Sequence, residues 1–151
     1  MKPFPWKCGE CREREVQPKV LSTYETDLDH DGRSYHVELT DFPVLECQRC
    51  GARLIQDEGN RRLSEALRQA VGLLSPVEIK AHRDALGLTQ KQLAEYLRIS
   101  ESTLSRWETG AQIQQRAMDV LLRGFFDLEA FRGYLGAVSK PRRTATTHQS
   151  V

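Results

Sequence analysis

Apolar positions change period about halfway along this 151-residue chain. In the first half they alternate. Tyr35, Val37 and Leu39 fall on one face of a strand over Ser34–Leu39, and Val16–Thr26 has the same character, so Asp29-His30-Asp31-Gly32 between them predicts a hairpin turn. A short third strand is expected from Val44 into Cys47. From Asn60 onward the spacing becomes helical: Leu63, Ala66, Leu67 and Ala70 share a stripe, with Arg61, Arg62 and Arg68 outside it and Gly72 as a stop. Ser75 then opens a helix with Pro76 in its first position and Glu78 placed for a capping box, carrying Ile79, Ala81, Arg83 and Leu86 as far as Gly87.

Two short helices follow. Thr89 can cap one whose Leu93, Ala94 and Leu97 face inward, and Ser100 a second whose Leu104 and Trp107 turn to the same core, with only Arg98-Ile99 between them and Gly110 to end the pair. This is the pattern of a helix-turn-helix. Two more helices are expected over Arg116–Gly124 and Phe125–Ala137, carrying Val120, Leu121, Leu122, Phe126, Leu128, Phe131, Tyr134 and Leu135. The predicted class is α+β: a small β-hairpin domain (1–58), a helical connector (59–74) with a hinge at 71–74, and an all-α five-helix domain (75–138). A polar, basic, disordered tail (139–151) is expected after it.

All four cysteines lie in the hairpin half, as Cys8-Gly-Glu-Cys11 and Cys47-Gln-Arg-Cys50, with 35 residues between the pairs. Two such knuckles can deliver four thiolates to one tetrahedral ion, Gly9 and Gly51 relieving the turns. Two disulfides, four free thiols or an iron site would use the same residues. Zinc is the expected ion, since nothing else suggests electron transfer, and an all-thiolate set leaves no open position for a reacting water, so its role is structural. No HExxH motif, nucleophile elbow or phosphate loop occurs. The HVE at His36–Glu38 lies on an alternating strand, and Cys47 follows Glu46 rather than the proline that a zinc deaminase would place there. No enzyme is expected. With no apolar run of membrane-spanning length and no secretory leader pattern, the reading is a cytoplasmic protein with no membrane partner.

Charge refines the partners. Residues 1–58 carry 8 basic and 12 acidic side chains, including Glu25, Asp27, Asp29, Asp31, Glu38 and Asp41 around the hairpin, which is either a solvated surface or a dock for a basic protein. Residues 75–110 balance at 5 and 5, so affinity for DNA has to come from geometry, helix N-termini and two subunits acting together. The candidate DNA-binding residues are Gln90, Ser102, Thr103, Ser105 and Arg106. Gln90 begins the leading helix, where it can meet a phosphate. Arg106 stands about one turn beyond Ser102 and Thr103, so it can reach guanine O6 and N7 while the hydroxyls meet shallower edges. The two last helices offer a homodimer surface for a twofold operator.

In this order the motifs CGEC, CQRCG and LTQKQLAEYLRISESTLSRWETG resemble the MqsA (YgiT-type zinc finger) family of bacterial antitoxins, whose second half is a Xre/Cro-type helix-turn-helix. The resemblance covers residues 8–135. It implies that Cys8, Cys11, Cys47 and Cys50 hold structural zinc and that the first domain binds a toxin, often an mRNA-cleaving ribonuclease. It also implies that the second domain dimerises on double-stranded operator DNA and represses its own operon. The family's base-reading asparagine and arginine fall on Ser102 and Arg106, so the arginine is kept and the asparagine is replaced by a shorter serine. The competing expectation is a zinc-finger helix-turn-helix regulator with no toxin.

Overall fold

The computed structural model, which describes residues 2–138, opens with a hairpin longer than the alternating pattern predicts. Its strands are β2 (Arg14–His30) and β3 (Arg33–Cys47), paired antiparallel from Val16 opposite Cys47 to His30 opposite Arg33. Only Asp31 and Gly32 separate them. Both have positive φ, 50° and 70°, the combination that matches a two-residue turn to the right-handed twist of its strands. Two-residue strands close the flanks in the order β1-β2-β3-β4: β1 (Trp6–Lys7) on β2, and β4 (Arg53–Leu54) on the cysteine end of β3.

The expected second and third strands are therefore one. Thr40-Asp41-Phe42-Pro43 breaks the alternation, and Asp41 takes φ 50°, yet the ladder keeps its register on both sides of the kink. The kink persists because α1 (Asp57–Val71) answers its backbone: the Arg62 guanidinium donates to the carbonyls of Thr40 and Asp41, each at 2.7 Å. Helix α1 packs along β3. It begins at Asp57, three residues before the expected start at Asn60, and its acidic first turn, Asp57-Glu58, suits the positive end of the helix dipole. Phe42 is fully buried at this contact, stacked on Tyr24 at 4.4 Å with the Arg62 guanidinium 5.7 Å from its ring centre. Gly59 is the point of closest approach, where a Cβ would lie 2.6 Å from Ile55 Cγ2 and 3.2 Å from Phe42 Cζ. Gly72, at φ 81°, ends the helix, its amide and that of Leu73 both reaching the Arg68 carbonyl.

The chain divides into two compact units between Leu73 and Leu74. The second is built from α2 (Pro76–Ala85), α3 (Gln90–Leu97), α4 (Glu101–Thr109), α5 (Arg116–Asp127) and α6 (Glu129–Val138). Local chemistry sets most of their ends. Ser75 and Glu78 form the expected capping box, Thr89 forms another with Gln92, and the Ser100 hydroxyl accepts the Thr103 amide at 3.1 Å. Their inward faces meet in one core of Leu74, Ile79, Leu93, Ala94, Leu97, Leu104, Trp107, Leu122, Phe125 and Phe126. Gly124 is not the expected stop. It stays inside α5 because the Phe131 ring lies over it, 3.1 Å from where a Cβ would be, and the chain turns instead at Leu128. A buried polar latch holds the start of this unit: Asp119 accepts the Leu74 amide at 2.8 Å, and the Gln114 side-chain nitrogen donates to the Leu74 carbonyl at 2.8 Å. Among the described residues no helix is long and apolar enough to cross a membrane. Residues 139–151, read from sequence as a basic tail, lie outside the described residues.

The glycines predict opposite outcomes for one substitution. In the full chain, Gly59→Ala should lower stability to urea by about 1–3 kcal/mol through overpacking. At the exposed helical Gly133, which has open space around it, alanine should raise stability by about 0.5–1 kcal/mol.

Candidate metal centre and nucleic-acid interface

At the open end of the hairpin two tight turns face each other. The first follows β1 and carries Cys8 and Cys11, the Cys8 amide bonding to the Glu13 carbonyl at 2.8 Å. The second continues β3 through Cys47 to Cys50, closed by Gly51 to the Cys47 carbonyl at 2.9 Å and by Cys47 to the Ala52 carbonyl at 2.9 Å. The residue after each second cysteine is left-handed, Arg12 at φ 67° and Gly51 at φ 74°, so Arg12 rather than Gly9 fills that place in the first turn. Cys8, Cys47, Val16 and Leu45 form a small buried cluster with Trp6, Cys11 and Ala52 against it.

The four sulfurs lie within 4.8 Å of one another, Cys8 to Cys50 at 3.7 Å and Cys11 to Cys47 at 3.6 Å. Those contacts are nearly twice a disulfide bond of about 2.05 Å. They fit a tetrahedron of thiolates about 2.3 Å from a central ion, whose edge is about 3.8 Å. The cluster can therefore hold a metal ion. Its ionisation points the same way. Backbone amides of Cys11 and Glu10 draw the Cys8 thiol down to about 7. At Cys11 the Glu13 amide pulls downward, but burial and the crowding sulfurs of Cys47, Cys50 and Cys8 push the thiol up to about 12. Beside the knuckle, Glu46 accepts from Lys19 of β2 and from Arg53 of β4, the latter at 2.7 Å, bracing the strand that delivers Cys47.

His36 and Glu38 are not part of this centre. His36 pairs across the ladder with Asp27 at 2.8 Å, eleven positions from the Val16–Cys47 pair; at about 3.3 Å per residue that is roughly 35 Å along the strand. That hydrogen bond is the main reason its pKa is raised. The same exposed face sets Glu25 directly opposite Glu38, and like charges in that position repel.

In the second unit, α3 and α4 are joined by Arg98, left-handed at φ 56°, and Ile99. What holds them is a buried charge pair that the sequence pattern had not revealed. The Arg83 guanidinium of α2 grips the Glu108 carboxylate of α4 through both oxygens at 2.6 and 3.0 Å, and donates a third bond to the Leu88 carbonyl at 2.7 Å. The side chains are 10% and 3% exposed. One signal was present: Arg83 occupies the apolar stripe of its helix between Ile79 and Leu86, where a cation requires a buried partner. Gln90 completes the cluster, its amide nitrogen donating to Glu108 at 2.8 Å. That side chain, expected at a phosphate, thus spends a donor inside the protein.

The other expected contacts sit on α4. Ser102 and Arg106 are exposed and one turn apart, while Thr103 and Ser105 are half-buried. The Ser100 hydroxyl lies 3.0 Å from that of Ser102 and 2.7 Å from that of Thr103. Arg106 has no ion-pair partner among the described residues, Glu101 included. Several other cations of this unit are occupied: Lys80, Arg83 and Arg123 pair with acids, and Arg132 donates to the Phe125 and Phe126 carbonyls, whereas Lys91 of α3, like Arg106, has no ion-pair partner among the described residues. An exposed helix with an uncommitted arginine, set on a capped partner helix, has the form that enters a major groove. Residues 79–125 match the helix-turn-helix family model. The match runs from Ile79 in α2 to Phe125 in α5, so the helix-turn-helix domain includes the Arg83–Glu108 clamp as well as α3 and α4. No curated protein matches the chain. A DNA-binding regulatory domain and a four-thiol centre able to hold a metal ion are thus joined in one chain.

The clamp is testable by a thermodynamic cycle. Arg83→Met should cost about 3–5 kcal/mol in urea unfolding, because Glu108 is left buried without its cation, and Arg83→Met with Glu108→Leu should recover most of that loss.

Proposed function

We propose that this protein is a dimeric, zinc-stabilised repressor of type II antitoxin character, which binds operator DNA through α4 and a cognate toxin through its hairpin unit. The observation that carries the DNA half is the uncommitted Arg106 on the exposed face of α4, one turn from Ser102. Arg106 reads a guanine edge, Ser102 and Thr103 meet shallower base edges or phosphate, and Ser105 and Gln90 lie at the flanks. Exposed Val120, Leu128 and Tyr134 on and between α5 and α6 favour self-association, which a twofold operator requires.

Zinc is the ion that best suits four thiolates at these separations. Cys8, Cys11, Cys47 and Cys50 would hold it, and it would supply a cross-link between the ends of the hairpin rather than a reacting centre. The protein is cytoplasmic and not an enzyme. The acidic face around Glu25 and Glu38 favours a basic partner, in keeping with an mRNA-cleaving ribonuclease whose synthesis the repressor controls.

Gel shifts on the chain's own upstream region test the DNA half. Arg106→Ala should lose about 1–3 kcal/mol of discrimination between operator and mismatched duplex, and the absence of any sequence-specific shift by the wild type sinks the proposal. Copurification with the product of a neighbouring gene tests the toxin half; a regulator with no toxin would purify alone and still shift its operator. Metal analysis should find one zinc per chain. Cys47→Ser should lose that zinc and the ellipticity of the strands, while the helical unit still unfolds cooperatively.

A further inference from the structure

The long hairpin has two outer edges, and the fold treats them differently. On β3, β4 pairs with Leu45 and Glu46, the Arg62 guanidinium takes the carbonyls of Thr40 and Asp41, and α1 packs along the strand. On β2, β1 reaches only Arg14 and Val16. From Lys19 to Asp29 the outer amides and carbonyls of β2 meet no other strand among the described residues. Such a row is a template for one more strand.

Side chains along that edge set what kind of strand fits. Tyr24, Thr26 and Leu28 are half-buried on one face, while Glu25, Asp27 and Asp29 are exposed on the other, where Glu38 of β3 adds a further acid. Glu25, Asp29 and Glu38 form no ion pair among the described residues. At the cysteine end of the edge, where β1 begins, Phe4, Trp6, Pro18, Val20 and Pro43 line a largely apolar groove of about 300 Å³ that reaches Gly59 of α1. Phe4 stacks on Trp6 at 4.6 Å, and Val20 is 63% exposed. Charge disfavours a second copy of this edge as the occupant. Two β2 strands paired antiparallel about Asp27 would set Asp27 against Asp27 and Glu25 against Asp29, and like charges directly opposite repel.

We infer that β2 accepts, along Lys19–Asp29, a strand of another protein that alternates basic and apolar residues and ends in an apolar side chain seated in the groove. Its basic side chains lie over Glu25, Asp27 and Asp29, and its apolar ones beside Tyr24 and Leu28. Antiparallel pairing sets it in line with β1, which already runs antiparallel to β2, and brings its C-terminal end to the groove. The inference rests on the reading of the hairpin unit as the partner-binding half, and it names the edge used and the kind of segment taken.

The probe is a blocked Lys-Val repeat of about ten residues with a C-terminal tryptophan, long enough at roughly 3.3 Å per residue to cover Lys19–Asp29. Added to the full chain, it should slow amide exchange, read residue by residue by NMR, at the outward amides of Lys19–Asp29 and leave those of Arg33–Leu39 unchanged. A Glu-Val counterpart should not bind. The lysine peptide with every backbone amide N-methylated keeps its charges but loses its donors, and should bind about tenfold more weakly or worse. Glu25→Lys with Asp29→Lys, both at exposed positions, should reverse the preference between the lysine and glutamate peptides. No binding of the lysine peptide, equal affinity for its N-methylated form, or protection placed elsewhere overturns the inference. A neighbouring gene's product that copurifies while Lys19–Asp29 exchanges as in the free chain overturns the edge and leaves the partner-binding reading. Protection of the edge by the peptide in a chain that purifies alone leaves the edge standing and removes the toxin.

Discussion

A guanidinium inside a helical core is tolerable only when its charge and its donors are answered, and much of the reading unit follows from how Arg83 is answered. Glu108 takes the charge, the Leu88 carbonyl takes a further N–H, and Gln90 fills the remaining side of the carboxylate. Those partners belong to α4, to the segment before α3, and to the first turn of α3. One buried cluster thus fixes the pose of both helices of the helix-turn-helix relative to α2. It also removes from the surface the one carboxylate of α4 that lies beyond the reading face, so the outward side keeps its arginine without an opposing acid in the last turn.

The hairpin unit solves a different problem. Its long ladder has a short apolar section near the cysteines and a charged outer face, so little of it gains from burial. Two devices compensate. Helix α1 covers the kinked middle of β3 through Phe42, Gly59 and Arg62. At the far end the four sulfurs converge from two separate turns, braced by Glu46 between Lys19 and Arg53. A metal ion binding there closes the ends of a loop of more than thirty residues, for which cross-linking yields a large reduction in the freedom of the unfolded chain.

Features governed by neighbours in sequence were legible from it. Ser75, Thr89 and Ser100 cap their helices because a hydroxyl reaches an amide three residues on, Gly110 stops α4, and the CxxC spacing brings paired sulfurs together through a single turn. Features governed by distant packing were not. Asp41 and Pro43 read as a strand break, but Arg62, some twenty residues later, satisfies the kinked backbone and keeps β3 whole. Gly124 reads as a stop, but the Phe131 ring needs its missing Cβ inside a continuing helix. Gln90 gives no local sign of its inward hydrogen bond, which depends on Glu108, eighteen residues away. Arg12, an ordinary residue by composition, takes the left-handed place that glycine was expected to relieve.

The neutrality of the folded reading unit has a kinetic side. A charged domain draws DNA from beyond the screening distance of about 8 Å at physiological salt; a balanced one does not, and its own encounters fall to the ordinary orientation-limited range of about 10⁵–10⁷ per molar per second. Operators and unrelated sequences are then met by its folded surface at similar rates. For a unit that reads DNA as proposed, what distinguishes them is how long α4 stays once seated, so selectivity is written in dwell time rather than in search speed.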